Sequence, residues 1–276
     1  MNTLYVSDLD GTLLQPDITI SPYSISVINE LTDHGTLFSI ATARTIASVK
    51  HIIKDLRLPV PIVLMNGVCI YDNRKGDYLK IETLSSHSIE VLMDVILRYR
   101  LKGFVYTIKD GVMNTYYEEL ANQAMRDFYR QRVDLYQKRF LQIERFAALS
   151  SEPIVYFSLL DIRDRLEPVY RILESIPELN CTFYKDNYTA DSWFLEIFSK
   201  TASKYHAVRY LRNYLKLDKV ICFGDNRNDF PLFDASDFKI AVGNAIPELK
   251  AKAHLVIGTN EEDGVADWMK NNIATA

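Results

Sequence analysis

Two carboxylates, one residue apart, follow the first apolar segment of the chain. The segment reads Tyr5-Val6-Ser7-Asp8-Leu9-Asp10-Gly11-Thr12, and Gly11 permits a sharp exit from a strand. Alternate side chains on a strand share a face, so Asp8 and Asp10 could divide the work, one attacking or binding a metal and the other handling protons. A strand end with a capped turn fits the same residues. The pair indicates chemistry only if other groups join it.

Further polar residues stand at the ends of other predicted elements. Thr42 and Asn66 each follow an apolar segment, and Asp225 follows a predicted strand over residues 219–223. Lys204 begins the helix that precedes this strand, and Lys200 is a weaker candidate nearby. Ligands of doubly wound sheets bind beyond the carboxyl ends of the strands. We therefore expect these groups to meet at one edge of a sheet.

Phosphoryl transfer would use each of these groups. Asp8 could act as the nucleophile, and Mg²⁺ held by Asp8, a backbone carbonyl and Asp225 would cancel its repulsion from the phosphate. Thr42 could donate a hydrogen bond to a phosphoryl oxygen, and Lys204 could complete the neutralisation. Asp229, four residues after Asp225, could address the same cation, although acidic residues also suit a helix N-terminus.

The elements that must position these residues alternate in type over the first third of the chain. We predict strands at 3–8, 36–41 and 62–65 and helices between them, one starting at Ser21-Pro22, which indicates a parallel sheet with helices on both faces. The middle mixes helices with a hairpin around Asp110-Gly111, an α+β pattern. The alternation resumes from Lys200. We therefore predict one domain from 1–83 and 191–276, and an inserted domain at 84–190.

Composition favours an ordinary globular protein and gives no reason to expect a nucleic-acid or membrane partner. The 276 residues carry a formal net charge of −4, which gives no electrostatic reason to expect nucleic acid or an anionic membrane. No uncharged apolar run reaches the length of about 18 residues that spans a bilayer. Three widely separated cysteines, in apolar runs, predict buried free thiols. We expect a cytoplasmic protein without a membrane or nucleic-acid partner.

The ordered motifs resemble those of a known superfamily. Asp8-Leu9-Asp10-Gly11-Thr12, Thr42, Lys204 and Gly224-Asp225-x-x-Asn228-Asp229 resemble, in that order, the four motifs of the haloacid dehalogenase superfamily. The insertion resembles the type IIB cap of its Cof-like phosphatases. Thr42-Ala43-Arg44, with Ala43 in place of the usual glycine, Asn66-Gly67, and residues 241–245 and 263–266 also follow the Cof-like pattern. The resemblance covers the whole chain.

The resemblance implies a Rossmann-like α/β core with an inserted α+β cap and a set of residue roles. Asp8 would be the nucleophile and a Mg²⁺ ligand, and Asp10 the general acid/base with its backbone carbonyl on the metal. Thr42 and Lys204 would hold the phosphoryl group, while Asp225 would ligate Mg²⁺ with support from its neighbours. The full predicted sets are Asp8, Asp10, Thr42 and Lys204 for catalysis; Asp8, Asp10, Asp225 and Asp229 for the metal; and Leu9, Gly11, Thr12, Thr42, Ala43, Arg44, Asn66, Lys204 and Asn228 for phosphate and substrate.

We accordingly predict a Mg²⁺-dependent phosphatase that hydrolyses a small phosphorylated metabolite through an aspartyl-phosphate. A sugar phosphate or a cofactor phosphate such as pyridoxal phosphate or FMN would suit it. A sugar phosphomutase shares the fold and the paired aspartates and stays open. A phosphorylatable switch module would need no inserted cap, and a nucleotide-sugar transferase would leave Lys204 and Asp225 unexplained. Cap residues could contact the substrate or form an ordinary solvated helix face with the aromatics packed inward; they are Arg126, Tyr129, Arg130, Arg132 and Tyr136.

Overall fold

The computed structural model describes residues 2–185 and 191–273. Two compact units divide the chain, one formed by Met1–Lys80 with Ser203–Ala276 and the other by Ile81–Ala202. The predicted second domain ran from 84 to 190, and its last five residues, 186–190, lie outside the described residues.

The elements have the following bounds. The strands are β1 Thr3–Ser7, β2 Leu37–Ile40, β3 Ile62–Leu64, β4 Cys69–Asp72, β5 Asp77–Ile81, β6 Gly103–Lys109, β7 Val112–Tyr117, β8 Phe140–Gln142, β9 Ile154–Ile162, β10 Leu179–Lys185, β11 Ser192–Ser199, β12 Lys219–Gly224, β13 Phe238–Ala241 and β14 Leu255–Val256. The helices are α1 Pro22–Asp33, α2 Ile46–Ile52, α3 Ser86–Arg98, α4 Gln123–Tyr136, α5 Arg163–Glu174, α6 Lys204–Tyr214, α7 Phe230–Asp234, α8 Pro247–Lys250 and α9 Gly264–Asn272.

A parallel sheet organises the first unit, in the order β14-β13-β12-β1-β2. Ser7 at the end of β1 pairs with Phe223 of β12 on one side and with Ile40 of β2 on the other. The chain leaves β1 toward β2 and returns later to β12, so the carboxyl end of β1 is the switch point at which such sheets bind ligands. The predicted α/β class with a parallel central sheet is confirmed.

The third predicted strand differs from expectation. A single parallel bridge joins Ala41 to Val63, and β3 then pairs antiparallel with β4, since Leu64 lies opposite Cys69. Three residues with positive φ, at 65–67, turn the chain back on itself at this point. The result is a small sheet, β3-β4-β5, whose second and third strands the sequence did not predict.

The helix cap that the sequence predicts at Ser21 is present, and a second serine cap begins the helix that carries Lys204. Ser21 accepts a hydrogen bond from the backbone N–H of Ser24, with proline in the first turn of α1, as expected. Ser203 caps α6 in the same way by accepting from the N–H of His206. The inner face of α6 buries Ala207, Val208 and Leu211, and Lys204 lies on the same side, so packing of this face carries the lysine inward.

The second unit is built on a six-stranded sheet in the order β10-β11-β9-β6-β7-β8, antiparallel except between β7 and β8. The predicted hairpin is present, with Asp110 and Gly111 both at positive φ. Strand β8 is a further strand that the sequence did not predict. Strand β11 pairs with β9 and β10, so 192–199 belongs to this unit and not to the first, where the sequence placed it.

Two further expectations bear on the class of protein. Cys69 and Cys222 are buried free thiols, as predicted, and Cys181 is half-buried and also free. Throughout 2–185 and 191–273, no helix has the length and apolar character needed to cross a membrane.

Candidate active site

Three buried carboxylates meet at the carboxyl end of the parallel sheet. Asp8 follows β1 and Asp225 follows β12, and these strands are neighbours. Asp229 ends the 3-10 turn Arg227–Asp229, which begins two residues after Asp225. One oxygen from each of the three side chains can be chosen so that all lie within 4.8 Å of one another. The predicted convergence of residues more than 200 positions apart is therefore present.

Lys204 holds two of these carboxylates together. Its Nζ lies 2.6 Å from Asp8 Oδ1 and 2.7 Å from Asp229 Oδ1, and its side chain is 1% exposed. Burial alone would lower the pKa of this ammonium, but Asp229 and Asp8 outweigh it and raise the pKa. The ammonium is therefore charged, and it orients the Asp8 carboxylate.

The cluster brings three carboxyl groups to one ammonium. Burial raises the pKa of Asp8 well above its usual range, against the attraction of Lys204 and with repulsion from the other carboxylates. Burial, followed by Asp229, raises the pKa of Asp225 to about 7. A cation would favour the ionised form of these carboxyl groups, whose oxygens are the ligands that a hard divalent cation prefers. The residues fit such a cation.

The two acidic residues after β12 differ in what they can bind. Asp229 Oδ1 accepts from Lys204, and its Oδ2 accepts from the backbone N–H groups of Asp225, at 2.9 Å, and of Asn226, at 3.1 Å. Asp225 Oδ1 accepts from the Thr12 hydroxyl at 2.8 Å. Asp229 is therefore occupied at both oxygens as a cap and an ion-pair partner, which leaves Asp8 and Asp225 better placed to ligate a metal directly.

Gly11 lets the first loop cross over Asp225. Its φ is +79°, and a Cβ at this position would lie 2.4 Å from Asp225 Oδ2. Both the backbone conformation and the close approach require glycine here. Leu9, by contrast, buries its side chain completely, and its carbonyl accepts from the N–H groups at 12–14. Leu9 was predicted to contact the phosphate or the substrate. Its side chain and carbonyl are occupied, so only its backbone N–H could make that contact.

Asp10 lies outside the buried cluster. Its side chain is 47% exposed, and Arg44 holds it with two hydrogen bonds, from Nε to Oδ2 at 2.8 Å and from Nη2 to Oδ1 at 2.6 Å. This bidentate geometry fixes the plane of the carboxylate. The structure thus pairs two residues for which the sequence predicted separate roles, proton transfer and substrate contact.

Thr42 and Asn66 come together at the ends of β2 and β3. Thr42 is fully buried, its Oγ1 accepts from the N–H of Arg44 at 3.2 Å, and its carbonyl accepts from the N–H of Asn66 at 3.0 Å. Ala43, the residue after Thr42, is half-buried, and Asn228 is half-buried on the turn before Asp229. The predicted groups thus lie on adjacent loops at the same strand ends.

Asn244 was not among the predicted site residues. Its Nδ2 donates to the carbonyl of Gly11 at 2.7 Å, and two residues later the N–H of Ile246 donates to the carbonyl of Asp225 at 2.9 Å. Asn260 continues the contact, since its N–H donates to Asn244 Oδ1 and its Nδ2 donates to the carbonyl of Leu14. The segment 244–246 therefore ties both acidic loops together. The only signal in the sequence was the Cof-like tract 241–245, to which we assigned no role.

The chain is similar to known hydrolases and phosphatases. The family model described as haloacid dehalogenase-like hydrolase matches residues 5–269. Two 5-amino-6-(5-phospho-D-ribitylamino)uracil phosphatases of Bacillus subtilis are similar to the chain, one at 28% identity over 94% of both proteins and one at 26% over 97% of this chain and 96% of the relative. A pyridoxal phosphate phosphatase of Escherichia coli is 23% identical over 96% of this chain and 97% of the relative.

Solved structures show the same fold. A protein of Thermotoga maritima superposes with a TM-score of 0.80 at 24% identity, over 100% of this chain and 99% of that one. A haloacid dehalogenase-like hydrolase of Bacteroides thetaiotaomicron superposes with a TM-score of 0.82 at 21% identity, over 99% and 100%. Both likenesses extend over both units of the chain.

Proposed function

We propose that this chain, which belongs to the family of haloacid dehalogenase-like hydrolases and is one of its phosphatases, hydrolyses the phosphate monoester of a small metabolite. The reaction would pass through an aspartyl-phosphate at Asp8, with Mg²⁺ as cofactor. The observation that supports this most is the contact of Lys204 with Asp8 at 2.6 Å inside a buried cluster of three carboxylates. A carboxylate that is buried, oriented by an ammonium and surrounded by further carboxyl groups suits a nucleophile that works beside a cation.

The reaction has two steps, transfer of the phosphoryl group to Asp8 and hydrolysis of the aspartyl-phosphate. An oxygen of Asp8 attacks phosphorus, the bond from phosphorus to the ester oxygen breaks, and Asp10, which takes up a proton from solvent once Arg44 releases it, gives that proton to the departing alcohol. Water then attacks the phosphorus of the aspartyl-phosphate and returns a proton to Asp10, so that phosphate leaves and Asp8 is a carboxylate again. Lys204 and the Thr42 hydroxyl hold the phosphoryl oxygens during both steps.

Asp8 and Asp225 are the residues that would hold the cation, with Asp229 keeping both in place. When bound, Mg²⁺ supplies charge neutralisation for the phosphoryl group and the nucleophile. The donor set supports this assignment, since buried carboxylate oxygens suit a small hard ion. The backbone carbonyl of Asp10 is the further ligand that the resemblance implies.

Arg44 gives Asp10 a defined orientation before substrate arrives. Its guanidinium can bind a phosphoryl oxygen as well as a carboxylate, because both accept the same planar pair of donors. We propose that Arg44 shifts from Asp10 to the bound phosphate, which frees Asp10 to handle the proton of the leaving group.

The substrate proposal extends to small phosphorylated metabolites. Relatives act on a ribityl-pyrimidine phosphate and on pyridoxal phosphate, by their names, and we propose a substrate of this size for the chain. We also propose that Ile81–Ala202 acts as the substrate-selecting cap domain, as its insertion between Lys80 and Ser203 suggests.

Phosphate release from a panel of esters tests the proposal. The panel contains sugar phosphates, pyridoxal phosphate, FMN, the ribitylamino-uracil phosphate and p-nitrophenyl phosphate, each with Mg²⁺ and with excess chelator. We expect net release of phosphate from at least one metabolite, lost on chelation and restored by Mg²⁺. Release that is undiminished in chelator, or transfer between sugars without net release, would contradict it.

A further inference from the structure

A lysine of the second unit lies against aromatic rings and has no acidic partner. Lys138 follows α4, and its backbone N–H donates to the carbonyl of Arg132 at 3.1 Å. Its Nζ lies 4.4 Å from the ring centre of Tyr106 and 5.2 Å from that of Phe140. Among residues 2–185 and 191–273, no carboxylate forms an ion pair with this ammonium and no acceptor takes a hydrogen bond from it. The three donors of the side chain are therefore available to a ligand.

The ammonium keeps an opening to solvent although the residue is only 9% exposed. Some side-chain polar atoms in the described part of the chain are completely enclosed and lack a hydrogen-bond partner. Lys138 Nζ also lacks such a partner, but it is not one of these enclosed atoms. A ligand oxygen can therefore reach it.

Arg132 brings a second positive charge to the same place. Its guanidinium carbon lies 3.5 Å from the ring centre of Phe128, and its Nη1 donates to Gln131 Oε1 at 2.7 Å. A guanidinium that stacks on a ring still points its donors outward in its own plane. Burial lowers the pKa of Lys138, and repulsion from Arg132 lowers it further, so the two cations are close enough to act together.

The nearby acid, Glu196 of β11, is engaged by other groups. The Thr182 hydroxyl donates to its Oε2 at 3.1 Å, and the Tyr184 hydroxyl bonds to the same carboxyl group. Burial raises the pKa of Glu196, against these hydrogen bonds and the attraction of Arg132. Glu196 therefore balances Arg132 at most, and Lys138 stays without a counter-charge.

A buried ammonium without a counter-charge costs stability, and proteins keep such costs mainly at functional sites. An oxyanion would accept hydrogen bonds from both cations and supply the missing negative charge. We propose that Lys138 and Arg132 form an oxyanion-binding site in the second unit, which takes the carboxylate or phosphate group of a small organic molecule.

Two sources could supply this group. It could belong to a separate ligand, or it could be a second acidic group on the substrate of the phosphatase. Only the second source rests on the proposed function.

Nuclear magnetic resonance of the full chain, labelled with ¹³C-lysine, tests the site. The probes are malonate and inorganic phosphate at constant ionic strength, and the Lys138 Cε signal is identified by its loss in Lys138→Arg. We expect a saturable shift of this signal and a rise in the pKa of Lys138 of about one pH unit, which corresponds to tenfold tighter binding of the anion to the charged form. A Lys138 signal that neither probe moves would overturn the inference.

Variants locate the binding, with the Nε–Hε signal of Arg132 as the reporter. We expect Lys138→Met to weaken binding of the better probe by about tenfold or more, and Lys138→Arg, which keeps the charge, by no more than about threefold. Lys109→Met is the control, because Lys109 is an exposed lysine of the same unit that already pairs with Glu152 at 3.1 Å. Equal affinity in Lys138→Met and wild type would overturn the inference.

A matched pair of esters distinguishes the two sources. 3-Phosphoglycerate carries a carboxylate where glycerol 3-phosphate carries a hydroxymethyl group. If the oxyanion belongs to the substrate, wild type should prefer 3-phosphoglycerate by about tenfold in kcat/KM, and Lys138→Met should lose this preference. A ratio that Lys138→Met leaves unchanged, beside a Lys138 signal that responds to the probes, would assign the site to a separate ligand. Absence of Mg²⁺-dependent release from every ester would refute the phosphatase activity and leave the binding test unaffected.

Discussion

Lys204 Nζ lies 2.6 Å from Asp8 Oδ1 at the centre of the acidic cluster, and both side chains are almost completely buried. Removing one partner of a buried ion pair leaves the other charge uncompensated. We therefore expect Lys204→Met to lower the free energy of unfolding by about 3 to 5 kcal/mol at neutral pH without metal. Urea denaturation in chelator measures this change independently of activity.

Lys200 provides the matched control for that experiment. It was the weaker candidate in the sequence and is exposed. Lys200→Met should change the free energy of unfolding by no more than about 0.5 kcal/mol, as exposed substitutions usually do. Equal stability of Lys204→Met and wild type would show that the buried ammonium does not hold the cluster together.

Asp10→Asn should affect substrates according to their leaving groups. The amide keeps the shape of the carboxylate but cannot donate its proton, and alkyl alcohols need that proton more than nitrophenol does. We expect kcat for alkyl phosphates to fall by about 100-fold or more and kcat for p-nitrophenyl phosphate to fall much less. Equal losses for the two classes would remove proton transfer from the role of Asp10.

Asn244 should act as a positioning residue for the cation. Its bond to the carbonyl of Gly11, with that of Ile246 to Asp225, keeps the two acidic loops in register. We expect Asn244→Ala to weaken Mn²⁺ binding by about tenfold, as loss of an outer contact at a metal site does. Calorimetric titration of the substrate-free protein measures this affinity.

Asn271→Ala is the control for Asn244, because the Asn271 side chain donates to the carbonyl of Asp267 in its own helix, at 2.9 Å. It should bind Mn²⁺ like wild type. Unaltered Mn²⁺ affinity in Asn244→Ala would mean that the loops keep their register without this contact.

Lys138 should give the second unit a pH-dependent stability. The residue is 9% exposed, and its ammonium lies 4.4 Å from the ring centre of Tyr106 and 5.2 Å from that of Phe140. Burial, aided by the Arg132 guanidinium of α4, lowers the pKa of Lys138 well below its ordinary value. The folded protein then binds fewer protons than the unfolded chain, so Lys138 opposes folding at neutral pH. This opposition weakens as the pH rises toward the pKa of lysine in an unfolded chain.

Lys138→Met should therefore stabilise the protein. We expect a gain on the order of 1 kcal/mol at pH 7 that shrinks toward pH 10, since methionine has nearly the same shape and no charge to bury. Urea denaturation across this pH range measures it, with the exposed neighbour change Arg139→Met as control. A loss of stability at pH 7, or a gain that does not vary with pH, would contradict the assigned cause.

The sequence predicted the meeting of Asp8 with Asp225 because the rule behind it is local. Each residue ends an apolar strand, and parallel neighbours bring such ends together whatever the loops between them do. The role of Asp229 could not be read in the same way. Acidic residues at a turn fit either a cap or a metal ligand, and the capping bonds and the contact with Lys204 appear only in the structure.

Long-range hydrogen bonds explain what the sequence left open. Asn244 bonds to Gly11, 233 positions away, and no local pattern encodes that contact. Asn66-Gly67 is a familiar signal for a left-handed turn, so the turn was within reach. The close approach of Gly67 to Ser203, just before α6, depends on packing that no local pattern shows. Strands β4 and β5 were missed because short strands in a hairpin carry little periodicity.

Steady-state phosphate release by Asp8→Asn protein with Mg²⁺ tests most directly whether Asp8 attacks phosphorus. The amide is nearly isosteric with the carboxylate but is a poor nucleophile, so turnover of the best ester should fall by at least about 1,000-fold relative to wild type in a protein that unfolds at a comparable urea concentration. Release by the folded Asp8→Asn protein within tenfold of wild type would contradict the assignment of the nucleophile.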